Sequence, residues 1–203
     1  GSVEHTVIPD RIEAGTFMMA AAATGGDIFL EDIIPKHLDP VIAKLKEVGA
    51  SFEVGPDNLR VKGLTNPLPT DIKTFPYPGF PTDLQPLAMV LLTKAKGTSF
   101  ITENVFERRF RHVEELKRMG AKIKLEGRTA VIEGGSPLSA APVTVTDLRA
   151  GAAFVVAGLM AEGETVLHHL HHIDRGYERI EERFNSLGAE LYRASNISRE
   201  ITT

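Results

Sequence analysis

Leu84-Gln-Pro-Leu-Ala-Met-Val-Leu-Leu-Thr-Lys-Ala-Lys-Gly97 is the stretch on which the fold turns. As far as Thr93 it is apolar nearly all round, the pattern of a helix enclosed on every side, and Ala95-Lys-Gly97 then breaks it. The same break recurs at Ala23-Thr-Gly25 and Ala161-Glu-Gly163, behind the apolar runs Gly15 to Ala23 and Ala150 to Ala161. A second mark, Gly-Ala, follows each break at a nearly fixed distance, at Gly49-Ala50, Gly120-Ala121 and Gly188-Ala189. Two marks recurring at constant separation predict three copies of one supersecondary unit.

Each copy opens on a short β-branched or aromatic run (Thr6 to Ile8, Ile72 to Phe75, Val143 to Val145), followed by Asp10, Asp83 or Asp147 and the apolar helix. Past the break lies a strand-like run, Asp27 to Leu30, Thr98 to Thr102 or Glu164 to Leu170. An amphipathic helix follows, with Val41, Leu45 and Val48, or Val113, Leu116 and Met119, at helical spacing. It ends at the glycine of Gly-Ala, a natural C-cap. Tight-turn signals at Gly55-Pro-Asp-Asn58 and Glu126-Gly127 join two further strands in the first two copies. The expected unit is βαβαββ, over approximately 3–65, 70–136 and 142–194. Three such units bury their apolar helices only together. The expectation is one α/β domain over 3–203, pseudo-threefold, an inside-out barrel with apolar helices inside and sheets outside. The third copy shows no hairpin signal: Glu190-Leu-Tyr-Arg193 is followed by a mostly polar tail. Unpaired strand edges recruit another strand, so the tail from Asn196 to Thr203, or a second molecule, is expected to fill the gap.

Composition narrows the function. The 203 residues are 42% hydrophobic, enough for a genuine core. There is no cysteine, hence no disulfide, thiolate metal site or cysteine nucleophile within these residues. No run approaches the roughly 18 apolar residues of a membrane span, and the first residues lack a signal peptide's pattern, so the chain reads as soluble and cytoplasmic. A formal charge of −4 argues against a nucleic-acid partner. Gly1-Ser2 reads as a tag-cleavage scar outside the fold.

Within this frame Phe75-Pro-Tyr-Pro-Gly-Phe-Pro-Thr-Asp-Leu-Gln85 is a proline-stiffened approach to a helix. Thr82 or Asp83 can cap that helix, and the rigid loop equally suits delivery of the Asp83 carboxylate to a site. Asp10 and Asp147 occupy the equivalent place, so capping alone accounts for all three. The repeat also brings equivalent helix starts, with their exposed N–H groups, to one face, which favours anions. Arg109 and Arg149 lie near two such starts, and Arg175 is expected to open the last helix. Guanidinium forks suit carboxylate and phosphate, so a phosphorylated carboxylic acid fits them; pairing of each arginine with a nearby Asp or Glu is the alternative. His168, His169, His171 and His172 are discounted as a metal site, since no thiolate is present to converge with them.

Five motifs carry a family resemblance: Pro9-Asp-Arg-Ile-Glu13-x-Gly-Thr-Phe17, Phe80-Pro-Thr-Asp-Leu-Gln85, Glu103-Asn-Val-Phe-Glu-x-Arg-Phe110, Thr146-Asp-Leu-Arg149 and His172-Ile-Asp-Arg-Gly-Tyr-Glu-Arg-Ile-Glu181. On these the chain resembles the UDP-N-acetylglucosamine enolpyruvyl transferases of bacterial cell-wall synthesis, over the later half of a member's sequence. The resemblance implies two similar inside-out α/β barrels with the active site in the cleft between them. This chain would be one of them, inactive alone, without the mobile loop that carries the usual catalytic cysteine. It further implies transfer of enolpyruvyl from phosphoenolpyruvate to the 3-hydroxyl of UDP-N-acetylglucosamine, the committed step of peptidoglycan synthesis, and with it a part in cell shape and division. Asp83 matches the carboxylate proposed as general base. Arg109, Arg149 and Arg175 match the anionic part of the cleft, with Arg175 the first choice for phosphoenolpyruvate. Val105, through its backbone, Thr82 and Phe106 match the nucleotide-sugar wall. The implied partners are the two substrates and the missing first domain, with no cofactor, metal, nucleic acid or membrane. Two alternatives stand beside this: a 3-phosphoshikimate enolpyruvyl transferase domain, and an anion-binding module without catalysis.

Overall fold

The computed structural model describes residues 2–194. The first copy of the repeat runs α1 (Arg11–Thr24), β1 (Asp27–Leu30), α2 (Asp39–Glu47) and the hairpin β2 (Ser51–Val54) and β3 (Leu59–Lys62). The second runs β4 (Ile72–Lys73), a 3-10 turn over Thr82–Leu84 leading into α3 (Gln85–Lys94), β5 (Gly97–Thr102), α4 (Val113–Arg118), β6 (Lys122–Glu126) and β7 (Thr129–Gly134). The third runs β8 (Pro142–Thr144), α5 (Leu148–Met160), β9 (Val166–His168), α6 (His171–Asp174) and α7 (Ile180–Ser186).

α1, α3 and α5 pack on one another and form the centre. Every residue of α3 from Gln85 to Thr93 is buried, as are Ala14 to Ala23 of α1 and Ala150 to Ala157 of α5. A helix surrounded by helices and sheets has no solvated face, which is why the three read as apolar all round. The outer layer alternates. β3 buries Leu59 and Val61 and exposes Arg60 and Lys62, and α2 buries only Val41, Ile42 and Leu45. Each inner helix therefore meets a sheet with one apolar face.

The second unit is a complete βαβαββ. β4 pairs in parallel with β5 across the α3 crossover, and β5 and β6 flank β7 antiparallel. The first unit repeats this order as β1-β3-β2, also antiparallel. Gly63 and Gly134 mark the equivalence at the level of atoms. A Cβ on Gly63 would strike the backbone of Ala21 and Ala22, and one on Gly134 the backbone of Leu92 and Ala95, so both strand ends touch their inner helix.

The outer copies depart from the expected unit. Thr6 to Ile8 forms no strand; this stretch is exposed, and no neighbouring strand among the described residues offers it a ladder. In the third copy β8 pairs in parallel with β9 across α5, but the strand spans only Val166–His168, and Glu190 to Arg193 is not a strand. The second edge of β9 thus lacks a strand partner among the described residues. A cavity of about 260 Å³ lies there, lined among others by Val166, Leu167, Leu191 and Tyr192. The tail expected to close this edge, Asn196 to Thr203, lies outside the described residues.

Candidate active site

The three aspartates that lead into the inner helices do not share one role. Asp10 caps α1 by accepting the Ile12 N–H at 2.7 Å. Asp147 caps α5 by accepting from the N–H groups of Arg149 and Ala150. Asp83 caps nothing, and neither does Thr82. The 3-10 turn starts at Pro81 without a side-chain cap, and proline at the start of α3 removes one N–H that would have needed a partner. The carboxylate of Asp83 is held instead by two guanidinium groups. Arg109 Nη2 donates to Oδ1 at 2.9 Å and Arg149 Nη2 to Oδ2 at 3.0 Å.

This triad joins two copies of the repeat. Arg109 lies in the turn before α4, with its guanidinium 5.4 Å from the Phe106 ring, and Arg149 lies in the first turn of α5. A cation there opposes the helix dipole. Burial disfavours its charge, but the nearby Asp83 and Tyr177 outweigh that and hold its pKa above the ordinary arginine value. Arg149 Nη1 also reaches the Tyr177 hydroxyl, at 3.4 Å. That hydroxyl lies 2.7 Å from Thr16 Oγ1, which donates its own hydrogen to Ile12 O. Tyr177 therefore donates to Thr16, and a hydrogen-bond relay runs from Arg149 into α1. Burial pushes the Tyr177 hydroxyl pKa up. Gly15 lets α1 approach closely, because a Cβ there would collide with Leu84, the neighbour of Asp83. The starts of all three inner helices thus meet at the triad.

The second wall is organised by a residue the sequence reading passed over. Glu103 is 1% exposed. Its Oε1 accepts from Thr74 Oγ1 at 2.7 Å, Val105 N at 2.8 Å and Phe106 N at 3.1 Å, and its Oε2 accepts from Thr82 Oγ1 at 2.8 Å. The Val105 N–H is therefore committed internally, and its carbonyl is the backbone group left to offer a ligand. Phe106 is half exposed. Beside it opens a cavity of about 460 Å³ lined by Phe106, Arg108, Arg109, Arg111 and Arg128. Three of those arginines were not singled out from the sequence, although Arg108-Arg109-Phe-Arg111 is a readable basic run.

Arg175 stands apart. It ends α6 and does not open a helix; its side chain is exposed and has no hydrogen-bond or ion-pair partner among the described residues. The rings of His169, His171 and His172 lie tilted against one another, with successive centroids 6.0 and 4.1 Å apart. No group of three or more His, Asp or Glu among the described residues converges to hold a metal ion.

Comparison with known proteins places this geometry. Residues 1–184 match the family model described as EPSP synthase (3-phosphoshikimate 1-carboxyvinyltransferase). The chain is 59% identical over 190 residues to UDP-N-acetylglucosamine 1-carboxyvinyltransferase 1 of Caldanaerobacter subterraneus, covering 94% of this chain and 46% of that protein. It is 58% identical over 194 residues to UDP-N-acetylglucosamine 1-carboxyvinyltransferase of Desulfofundulus thermocisternus, covering 96% and 80%. The enolpyruvyl transferase NikO from Streptomyces tendae superposes with a TM-score of 0.84 at 29% identity, covering 92% of this chain and 44% of NikO. EPSP synthase from Acinetobacter baumannii shares the fold at a TM-score of 0.72, covering 92% of this chain and 48% of that one. The chain spans about half the length of most of these relatives. Its inner three-helix centre, its repeated sheets and these matches together make it a member of the EPSP synthase family, on the branch of the UDP-N-acetylglucosamine 1-carboxyvinyltransferases.

Proposed function

We propose that this chain forms one wall of a cytoplasmic enolpyruvyl transferase of cell-wall synthesis that joins phosphoenolpyruvate to the 3-hydroxyl of UDP-N-acetylglucosamine. The observation that carries the reading is the release of Asp83 from the capping role that Asp10 and Asp147 keep, and its retention beside Arg109 and Arg149. A carboxylate accepts about four hydrogen bonds. Asp83 uses one position on each oxygen for a guanidinium, which leaves capacity for an attacking hydroxyl.

Asp83 takes the proton of that hydroxyl as its oxygen bonds to C2 of the enolpyruvyl group and C3 gains a proton, giving a tetrahedral phosphate ketal. Loss of a C3 proton and expulsion of inorganic phosphate then restore the double bond, now on the sugar. Arg149 and Arg109 contribute guanidinium forks for the carboxylate and phosphate of the phosphoenolpyruvate. The exposed Arg175 is available to the same ligand once a second domain closes over the face. Phe106, Thr82 and the Val105 carbonyl form the acceptor wall. The proton donor to C3 is assigned to no residue of this chain.

The family model's own description favours a second acceptor, 3-phosphoshikimate. The relatives at 52–59% identity bear the nucleotide-sugar name and favour the first. Phosphate release from phosphoenolpyruvate, measured on the full-length protein with each acceptor, separates them. Release with UDP-N-acetylglucosamine alone is expected, and none from residues 1–203 by themselves, because half a cleft positions neither substrate. Release with shikimate 3-phosphate instead would overturn the assignment. Binding without any release would reduce the chain to an anion-binding module.

A further inference from the structure

We infer that Glu103 is the positioning residue of this site: its buried carboxylate holds the turn bearing Asp83 and the loop bearing Arg109 at their working separation. The inference rests on the proposed reading for its catalytic consequence, but its geometry stands on four hydrogen bonds. Oε2 takes the hydroxyl of Thr82, the residue before Asp83. Oε1 takes the backbone N–H groups of Val105 and Phe106, which start the loop that leads to Arg109. Oε1 also takes the hydroxyl of Thr74, which in turn accepts the Asn104 N–H at 2.9 Å. Behind the loop, Arg128 holds both backbone groups of Glu103: the Glu103 N–H donates to Arg128 O at 2.8 Å, and the Glu103 carbonyl accepts from the Arg128 side-chain Nε at 2.9 Å. The 2.9 Å contact between Asp83 and Arg109 thus bridges two segments that meet at one carboxylate.

The choice of glutamate follows from the donors. Three hydrogens converge on one oxygen, two of them from backbone amides that have no acceptor capacity to offer in return. That oxygen must be an acceptor. The other oxygen meets only a hydroxyl, which rotates to donate or accept. Glutamine can therefore replace Glu103, with its carbonyl at the Oε1 position and its amide donating to Thr82. Alanine leaves the part-buried Val105 and Phe106 N–H groups without their protein acceptor, and unsatisfied donors are costly to the extent that they are shielded from water.

The test uses the full-length protein carrying Glu103→Gln, Glu103→Ala and Thr82→Val, read by amide hydrogen exchange at Val105 and Phe106 and by steady-state phosphate release. Glu103→Ala is expected to speed exchange at both amides by at least about 10-fold and to lower kcat/KM by about 10- to 100-fold, the scale of an ångström-sized misplacement. Glu103→Gln is expected to restore both to within about threefold. If Glu103→Ala does not fold, Thr82→Val removes the Oε2 contact at constant volume and is expected to lower kcat/KM while leaving the two amides protected. A glutamine variant as damaged as alanine, or fast exchange with unchanged kcat/KM, would overturn the inference. Should the wild type release no phosphate with either acceptor, the functional reading falls, and the exchange at the two amides alone decides whether Glu103 holds the loop.

Discussion

Replacing Asp83 by asparagine separates chemistry from scaffolding. The amide oxygen still accepts from one arginine, while its NH2 faces the other as a second donor. The side chain of Asp83 is 32% exposed. The loss of stability therefore falls between that of exposed ion pairs, ~0.2–1 kcal/mol, and buried ones, ~3–5 kcal/mol. We expect about 1–2 kcal/mol, or a melting temperature lower by roughly 2–8 °C for a chain of this size. Turnover is expected to fall much further, by about 10²-fold or more, because the hydroxyl loses its proton acceptor. Asp10→Ala sets the scale for a cap alone, at about 1 kcal/mol. The assays are thermal unfolding and phosphate release at saturating substrates, both on the full-length protein. Turnover of the Asp83→Asn variant within about threefold of wild type, beside a lowered melting temperature, would return Asp83 to a purely structural role.

Two further substitutions probe the surroundings of the triad. His112 is almost fully buried, with its Nε2 unpartnered; burial first, and Arg109 second, push its pKa down to about 4 against the opposing pull of Asp147. The unfolded chain binds the proton more readily, so stability falls as pH drops from about 6.5 towards 4, by about 3 kcal/mol for this residue. His112→Leu is expected to flatten that part of the stability curve in urea titrations at several pH values, and an unchanged slope would contradict the assignment. Gly15→Ala puts a methyl group against Leu84 and is expected to cost about 1–3 kcal/mol. It should also lower kcat more than Asp10→Ala does at similar stability loss, since the displaced turn carries Asp83; equal kcat values would show that the turn absorbs the methyl group.

The inner helices could be read from the chain because burial on every side leaves a uniform apolar run, and the repeat could be read because Ala-x-Gly and Gly-Ala recur at fixed spacing. The same symmetry misled at the edges. Thr6 to Ile8 has the residues of a strand, yet a strand forms only where a neighbour offers a ladder. It also misled at Asp83, where equivalence with Asp10 and Asp147 pointed equally to a cap. Glu103 went unremarked because a lone glutamate between a strand and a loop has the look of a solvated residue. Its four donors come from positions up to 29 residues away in the sequence.

Local pattern was enough for the three apolar helices, most of the strands beside them, and the motifs that carry the family resemblance. Packing of the three copies sets which aspartate is released from its helix, which arginines reach it, and which buried carboxylate touches both segments. Contacts such as Asp83 with Arg149, 66 residues apart, depend on how the three inner helices pack rather than on any spacing along the chain.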